Sequence, residues 1–361
     1  MQDSTISAQH GVICSMPEDR MGYFGWPSVA RLDDGTLMVA SSGLRTEHVC
    51  PWGKTVLLTS KDDGQSWSGP EILNDTPLDD RDAGVVNLGG ERLLVSWFTS
   101  DTRKHYERRK ESMNEDEKRL WEEKLSEWSD ELVGKWLGSW VRLREDGGHW
   151  SEPIKVPVST PHGPIVLDNG DLLYFGKNSS DGMVPGAIQA CRSNDGGRNW
   201  IALGEVPIPG DTVNSNFHEP HVVELPGGKL IGHIRYEHAG DSRTYDELCT
   251  FQSESTDGGK TWSEARHLRY GSPPHLLRHS SGALVCVFGF RREPYGQRAM
   301  VSTDGGESWG PDIILIGDAP SWDLGYPASV EMPGGRIFTI YYQQQALGQK
   351  CSLLWTSWEL P

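Results

Sequence analysis

The sequence predicts an all-β fold, a six-bladed β-propeller carrying one helical insertion. Three observations predict it: a turn box that recurs along the chain, a hairpin repeat interleaved with it at near-constant spacing, and one stretch whose apolar period is helical.

The box fits S-x-D-x-G-x-x-W in "SKDDGQSW" (60–67), "SNDGGRNW" (193–200), "STDGGKTW" (255–262) and "STDGGESW" (302–309). A degenerate copy, "REDGGHW" (144–150), is one residue shorter and lacks the serine. Each reads as a fastened hairpin turn, in which Asp accepts backbone N–H bonds, Gly supplies positive φ and Trp buries its ring on the neighbouring strand. A calcium loop would need more oxygen ligands at fixed alternation than these turns offer.

The second repeat is strand, glycine turn, strand. It occurs as "PSVARLDDGTLMVAS", "AGVVNLGGERLLVSWF", "GPIVLDNGDLLYFG", "EPHVVELPGGKLIGHI", "PPHLLRHSSGALVCVF" and "PASVEMPGGRIFTIYY". Its turn glycines, Gly35, Gly90, Gly170, Gly228, Gly282 and Gly335, step by 55, 80, 58, 54 and 53 residues. Units of that length, each a four-stranded sheet unable to bury both faces alone, close into a ring. A β-sandwich would not produce so uniform a repeat. The C-terminal "CSLLWTSWEL" is expected to share a blade with the N-terminal "STISAQHGV" and close the ring.

The long second step comes from an insertion over 103–138. Asn114 with Glu117 reads as a capping pair, and Trp121, Leu125, Trp128 and Leu132 fall on one helical stripe. This helix covers the cleft, mediates homo-oligomerisation or packs on its own blade. Residues 1–361 are otherwise expected to form a single domain.

The composition narrows the partners. A net charge of −17 argues against nucleic acid, whose phosphates need a basic surface. No run of about 18 apolar residues occurs, so no membrane span is expected. The six cysteines lie far apart without a C-x-x-C pair and read as mostly reduced. The start, "MQDSTISAQHGVICSM", lacks a basic stretch followed by an apolar run, which makes the cytoplasm the expected compartment, or secretion if a leader precedes it.

In a propeller the first strand of every blade begins at the same mouth. Counting back seven to nine residues from each turn glycine gives Trp26, Asp82, His162, Glu219, His275 and Tyr326. His218, His221 and Asp323 stand beside them, and together they predict a cleft for a hydroxyl-rich ligand. The "HEPH" of residues 218–221 is not expected to bind a metal. Its histidines are three apart, which on a strand sends them to opposite sides, and Pro220 disfavours a helix at Glu219. No cofactor is expected.

The boxes and hairpins together resemble the sialidase superfamily over essentially the whole chain outside the insertion. "GYPASVEMPGGRIFTIYY" is similar to the sialidase strand that leads with the nucleophilic tyrosine, which assigns that role to Tyr326. "HEPHVVELPGGKLIGHIR" is similar to the strand whose glutamate activates that tyrosine, with an arginine sixteen residues later, implying Glu219 and Arg235. The chemistry is consistent: beside an anomeric carbon carrying a carboxylate, a phenol deprotonated by Glu is repelled less than an anionic nucleophile. Arg298 corresponds to a further carboxylate-binding arginine, with Arg291 and Arg292 as competitors for the role.

Two departures stand out. Where the family opens its first strand with Arg-Ile-Pro, this chain has "GWP", leaving Gly25 in place of an arginine. Where the family has its general-acid aspartate, this chain has His48, with Glu47 as the alternative. Arg45 and Asp82 are expected to contact sugar hydroxyls. The implied function is a sialidase-like exo-glycosidase acting on a terminal acidic sugar. The alternatives are a lyase or glycosidase acting on a uronic or neutral sugar, and a non-catalytic propeller that binds glycans or proteins.

Overall fold

A computed structural model describes residues 4–145, 148–178, 186–238 and 244–361; Asp146 and Gly147 of the shortened box lie outside them. Six sheets follow one another along the chain, each laid down from an inner strand outwards. The inner strands are Tyr23–Arg31, Asp79–Asn87, Ile165–Val166, Phe217–Glu224, Pro274–Arg278 and Leu324–Glu331, and they define blades 1 to 6. In blade 3 the inner edge is broken. Val158–Ser159 and Ile165–Val166 each pair with Leu172–Asn178, and Pro157, Pro161 and Pro164 supply no N–H to a ladder.

Both chain ends close the ring. Ser352–Trp358 is the third strand of blade 6, and Ala8–Cys14 completes that blade antiparallel to it, with Ala8 opposite Trp358. The expected sharing of one blade is therefore what the fold contains.

The core is divided among the blades. Among the described residues, a separate apolar layer fills each interface between neighbours. The box tryptophans enter these layers from the following blade: Trp262 of blade 4 stacks on Phe175 of blade 3 at 4.5 Å while its Nε1 donates to Gly259 O at 3.1 Å. Removing such a ring costs about 3–5 kcal/mol. Box glycines are needed for two reasons at Gly197, where φ is +96° and a Cβ would stand 2.7 Å from Leu94 Cδ1. Asp257 Oδ1 accepts from the N–H groups of Lys260 and Thr261, at 3.0 and 2.9 Å, which keeps the turn closed.

The insertion lies between the second and third strands of blade 2 as α1 (Arg103–Arg109), α2 (Glu115–Ser126) and α3 (Asp130–Trp136). Asn114 caps α2 by accepting from Glu117 N. The single stripe read from the sequence is cut, because the Ser129 side chain accepts from Leu132 N and starts a new helix. Trp121 then packs with Cys50, Trp52 and Tyr106, while Trp128 packs with Leu78 and Val133. The insertion thus grips the blade 1 loop at residues 46–52, which carries His48. No described helix is long and apolar enough to cross a membrane.

Candidate active site

The inner strands kink where they reach the mouth. Among the described residues, six that are not glycine have positive φ, and four of these are Trp26 (53°), Asp82 (50°), Glu219 (46°) and Tyr326 (51°). Each sits at a register shift, between Gly25 and Ser28, Arg81 and Gly84, His218 and His221, and Gly325 and Ala328. A left-handed residue costs about 1–3 kcal/mol and persists only where its surroundings enforce it, often at functional sites. In these four blades the same bulge re-aims one side chain at the strand's entry.

The bulge also corrects the counting. In blade 3 the matching residue is Gly163 (φ +75°), before Pro164, and blade 5 enters with Pro274. His162 and His275 are therefore not mouth residues. With His221 they form a buried cluster whose ring centroids lie 4.2, 4.9 and 5.6 Å apart. His221 Nδ1 accepts from Leu276 N at 3.0 Å and His275 Nδ1 from Ser329 N at 3.4 Å; His162 Nδ1 meets Ser28 Oγ at 3.1 Å. Burial lowers all three pKa values, that of His221 to about 3. The sugar contacts expected of His162 and His221 are replaced by a role in packing. With Nδ1 accepting from a backbone N–H in His221 and His275, Nε2 carries the proton in those neutral rings. Among the described residues, no group of three or more His, Cys, Asp or Glu is arranged to hold a metal ion.

Tyr326, Glu219 and Arg235 meet at the mouth. Tyr326 Oη donates to Glu219 Oε1 at 2.6 Å, and Arg235 Nη1 donates to Glu219 Oε2 at 2.5 Å and to Tyr326 Oη at 2.9 Å. Arg235 Nη2 is taken by Glu237 at 2.5 Å. Burial pushes Glu219 upward, but Arg235 and the Tyr326 hydroxyl outweigh it and hold the carboxyl below its usual range. Burial and the Glu219 charge push Tyr326 well above the ordinary phenol value. Asp82, buried beside this pair, is raised to about 7 by burial, against the pull of Arg81. His218 remains at the edge, where Lys177 Nζ lies 3.0 Å from its Nδ1; burial, then Lys177, lowers its pKa to about 4.

His48 faces the same cleft from blade 1. Its Nδ1 lies 3.0 Å from Asp323 Oδ1 and 3.1 Å from Tyr23 Oη, and Nε2 takes no protein hydrogen bond among the described residues. Asp323 also accepts from the hydroxyls of Tyr23 at 3.1 Å and Tyr342 at 3.2 Å, so it supports His48 and is not placed as the sugar contact expected of it. Burial against its neighbours, Trp26 among them at 4.9 Å, lowers the His48 pKa, although the Asp323 hydrogen bond opposes this and 38% of the side chain stays exposed. Glu47 turns to Arg109 of α1 at 2.5 Å and is not among the residues that line the cleft.

The arginines divide differently from expectation. Arg45 is fully buried, donating through Nη1 and Nη2 to Asp79 at 2.6 and 3.0 Å, through Nε to the Glu47 carbonyl and through Nη2 to the His48 carbonyl, so it braces the loop and cannot reach a sugar. Arg298 is buried over the Phe290 ring at 4.4 Å, in the third strand of its blade and away from the cleft lining. Arg291 is the residue beside Tyr326, 5.9 Å from its ring, with Nη2 donating to Leu324 O at 2.7 Å. At Gly25 a Cβ would come 3.3 Å from the Tyr23 ring, so Tyr23 and buried Trp26 fill the space around it.

Sequence reasoning missed Arg81, which lies 4.2 Å over Trp26 and donates to His48 O at 3.0 Å, as well as Tyr23, Glu237 and Trp322. Arg81 was findable as the neighbour of Asp82. Tyr23 was findable by aligning "YFGWP" with the "DLGYP" that holds Asp323, since both residues stand three before the left-handed position. The cleft encloses about 400 Å³ between His48, Arg235, Tyr270, Arg291, Trp322 and Tyr326. A phenol between a carboxylate and a guanidinium, in one cleft with a carboxylate-backed imidazole, has the groups for nucleophilic and acid–base chemistry.

Comparison with known proteins agrees with this architecture. The model of the BNR repeat-like domain family matches residues 121–339. The chain is 25% identical over 207 residues to a sialidase of Bacteroides fragilis (strain YCH46), a match covering 50% of this chain and 35% of that protein's length. Among solved structures it is similar to a protein of unknown function from Dyadobacter fermentans DSM 18053 (TM-score 0.76, 22% identity, 98% of this chain and 99% of that one). It is also similar in fold to the K499G mutant of the NanB sialidase from Streptococcus pneumoniae (TM-score 0.68, 13% identity, 97% and 70%). The Trypanosoma rangeli sialidase bound to the inhibitor DANA has a TM-score of 0.64 at 16% identity, covering 97% and 59%.

Proposed function

The chain belongs to the BNR repeat-like domain family, as a divergent member of the sialidase superfamily, and from that premise we propose that it is an exo-acting glycoside hydrolase that removes a terminal sugar in the cleft between His48 and Tyr326. The observation that carries this reading is the Tyr326–Glu219–Arg235 contact, in which one hydroxyl is hydrogen-bonded to a base and to a cation at once.

In the first step the Tyr326 proton passes to Glu219 while Oη attacks the anomeric carbon, with Arg235 opposing the charge that develops on the phenol oxygen. The bond to the leaving oxygen breaks as that oxygen takes a proton from His48 Nε2. In the second step water gives a proton to His48 and its oxygen attacks the same carbon. The tyrosyl bond breaks, and Glu219 returns the proton to Oη. Two inversions give net retention. Arg235 and Arg291 favour an acidic sugar, since both stand at the Tyr326 end of the cleft.

The test is hydrolysis of a panel of aryl glycosides of N-acetylneuraminate, uronic acids and neutral sugars by the wild-type protein and by Tyr326→Phe, with the first-formed anomer followed by NMR. Retention in the wild type and loss in the variant are expected. Inversion, or activity surviving in Tyr326→Phe, overturns the nucleophile.

A second reading is favoured by one observation: burial keeps Tyr326 protonated and His48 uncharged near neutral pH. That pair suits β-elimination at a uronic acid, with His48 removing the proton beside the carboxylate and Tyr326 protonating the leaving oxygen. Appearance of an unsaturated, ultraviolet-absorbing product would identify it.

A further inference from the structure

Trp322 is the only aromatic residue among the strongly exposed large apolar side chains described, with 59% of its surface open. Scattered exposed apolar residues are ordinary on any protein. This one is set apart by its place, since it lines the cleft with its ring centroid 6.3 Å from that of His48. Its backbone is also fixed. Trp322 O accepts from Leu324 N at 3.0 Å, and the next residue, Asp323, is held by His48, Tyr23 and Tyr342. The indole is thus presented to solvent on an anchored segment.

The geometry of bond cleavage says what would lie there. A proton donor at His48 Nε2 must reach the glycosidic oxygen, so the group beyond that oxygen lies on the His48 side of the cleft. Trp322 borders His48 there, ring centroid to ring centroid 6.3 Å, whereas Arg235 is bound to Tyr326, its Nη1 2.9 Å from Oη. An indole face is apolar and flat, and a pyranose ring offers a matching face of C–H groups while its hydroxyls point outward to water.

We propose that Trp322, beside His48, forms a leaving-group subsite that takes a second sugar ring by stacking, so that the substrate is an oligosaccharide or glycan rather than a sugar attached to a small alcohol or an amino-acid side chain. The proposal rests on the glycosidase reading of the cleft, and its test separates the two.

Trp322→Ala and Trp322→Phe are compared with the wild type on a trisaccharide and on the glycosyl fluoride of the same terminal sugar, whose leaving group has no ring to stack. With Trp322→Ala, kcat/KM on the trisaccharide is expected to fall about 10-fold, mainly through KM, the size of one good stacking contact. The fluoride rate stays within about 2-fold, a change too small to reflect a lost stacking contact. Trp322→Phe recovers most of the loss. An equal loss on both substrates, or no loss on either, overturns the subsite. In parallel, saturation-transfer NMR on Tyr326→Phe protein uses trisaccharides ending in N-acetylneuraminate, glucuronate or galactose. Contacts to the second ring that vanish when Trp322→Ala is added support the subsite even if no glycoside is hydrolysed, an outcome that would sink the glycosidase reading alone. Hydrolysis without second-ring contacts would overturn the subsite and leave that reading standing.

Discussion

His48 Nδ1 and Asp323 Oδ1 lie 3.0 Å apart across the seam between the first and last blades, although 275 positions separate them in the chain. The carboxylate fixes which ring nitrogen carries the proton toward blade 6 and leaves Nε2 for the cleft. It also opposes the lowering of the His48 pKa by burial. If His48 donates the proton, it must be charged, and Glu219 must be ionised. Both groups titrate below their ordinary values of 6.5 and 4.5, so the active window lies on the acid side of pH 6.5. Asp323→Asn removes the group that raises the His48 pKa. The alkaline limb of the pH–rate profile is expected to move to lower pH, and kcat/KM near neutrality to fall by about 10²-fold, the low end of an acid–base contribution. A uniform loss with an unmoved limb would show that Asp323 serves only packing.

Arg235 Nη1 bridges two oxygens, Glu219 Oε2 and Tyr326 Oη, while Nη2 is held by Glu237. A lysine offers a single ammonium on a flexible stem and cannot repeat this planar bridge. Arg235→Lys is expected to lower kcat by about 10²–10³-fold, the loss typical when one donor to a developing oxyanion is removed. Steady-state kinetics check it. A rise in KM with kcat unchanged would mean that Arg235 acts only in substrate binding.

How far the sequence reached is best judged from the inner strands. The repeat located all six, and four of the counted positions, Trp26, Asp82, Glu219 and Tyr326, fall on the left-handed residue of their inner strands. His162 and His275 were misplaced because side-chain direction alternates along a strand and one bulged residue reverses that parity. Bulges are absent from the periodicity. Arg45 was misread for another reason: its partner Asp79 belongs to the next blade, 34 residues on, and no local pattern reports that an ion pair is buried. Asp323 was recognised as a mouth residue, but its partner sits across the ring closure, a contact only the three-dimensional fold supplies.

Arg45 and Asp79 are both completely buried, which makes their pair sensitive to one-sided change. Arg45→Met would leave Asp79 in the interior with Arg81 at 3.5 Å as the nearer remaining cation, and would strip donors from the Glu47 and His48 carbonyls. The expected cost is about 3–5 kcal/mol, read as a lower urea midpoint with an unchanged slope. An unaltered midpoint together with a raised KM would instead fit the direct sugar contact expected from the sequence.

The histidine cluster gives a pH dependence whose sign follows from burial. In the unfolded chain His162, His221 and His275 titrate near the ordinary 6.5, whereas the folded values are lower, about 3 for His221. Between those limits the unfolded state binds more protons, so the stability supplied by the neutral rings is full above pH 6.5 and is lost as the pH falls toward 3. Asp80 and Asp82, raised to about 7 by burial, titrate in the opposite sense, so the overall curve mixes both. Comparison of the wild type with His221→Gln isolates the histidine. Glutamine can still accept from Leu276 N but does not titrate. The variant is expected to be the less stable above pH 7, and its deficit to shrink by up to about 1.4 kcal/mol per pH unit below pH 6, the linkage limit for one proton. Urea unfolding at stepped pH measures the difference directly, and parallel curves for the two proteins would mean that His221 binds its proton as readily folded as unfolded.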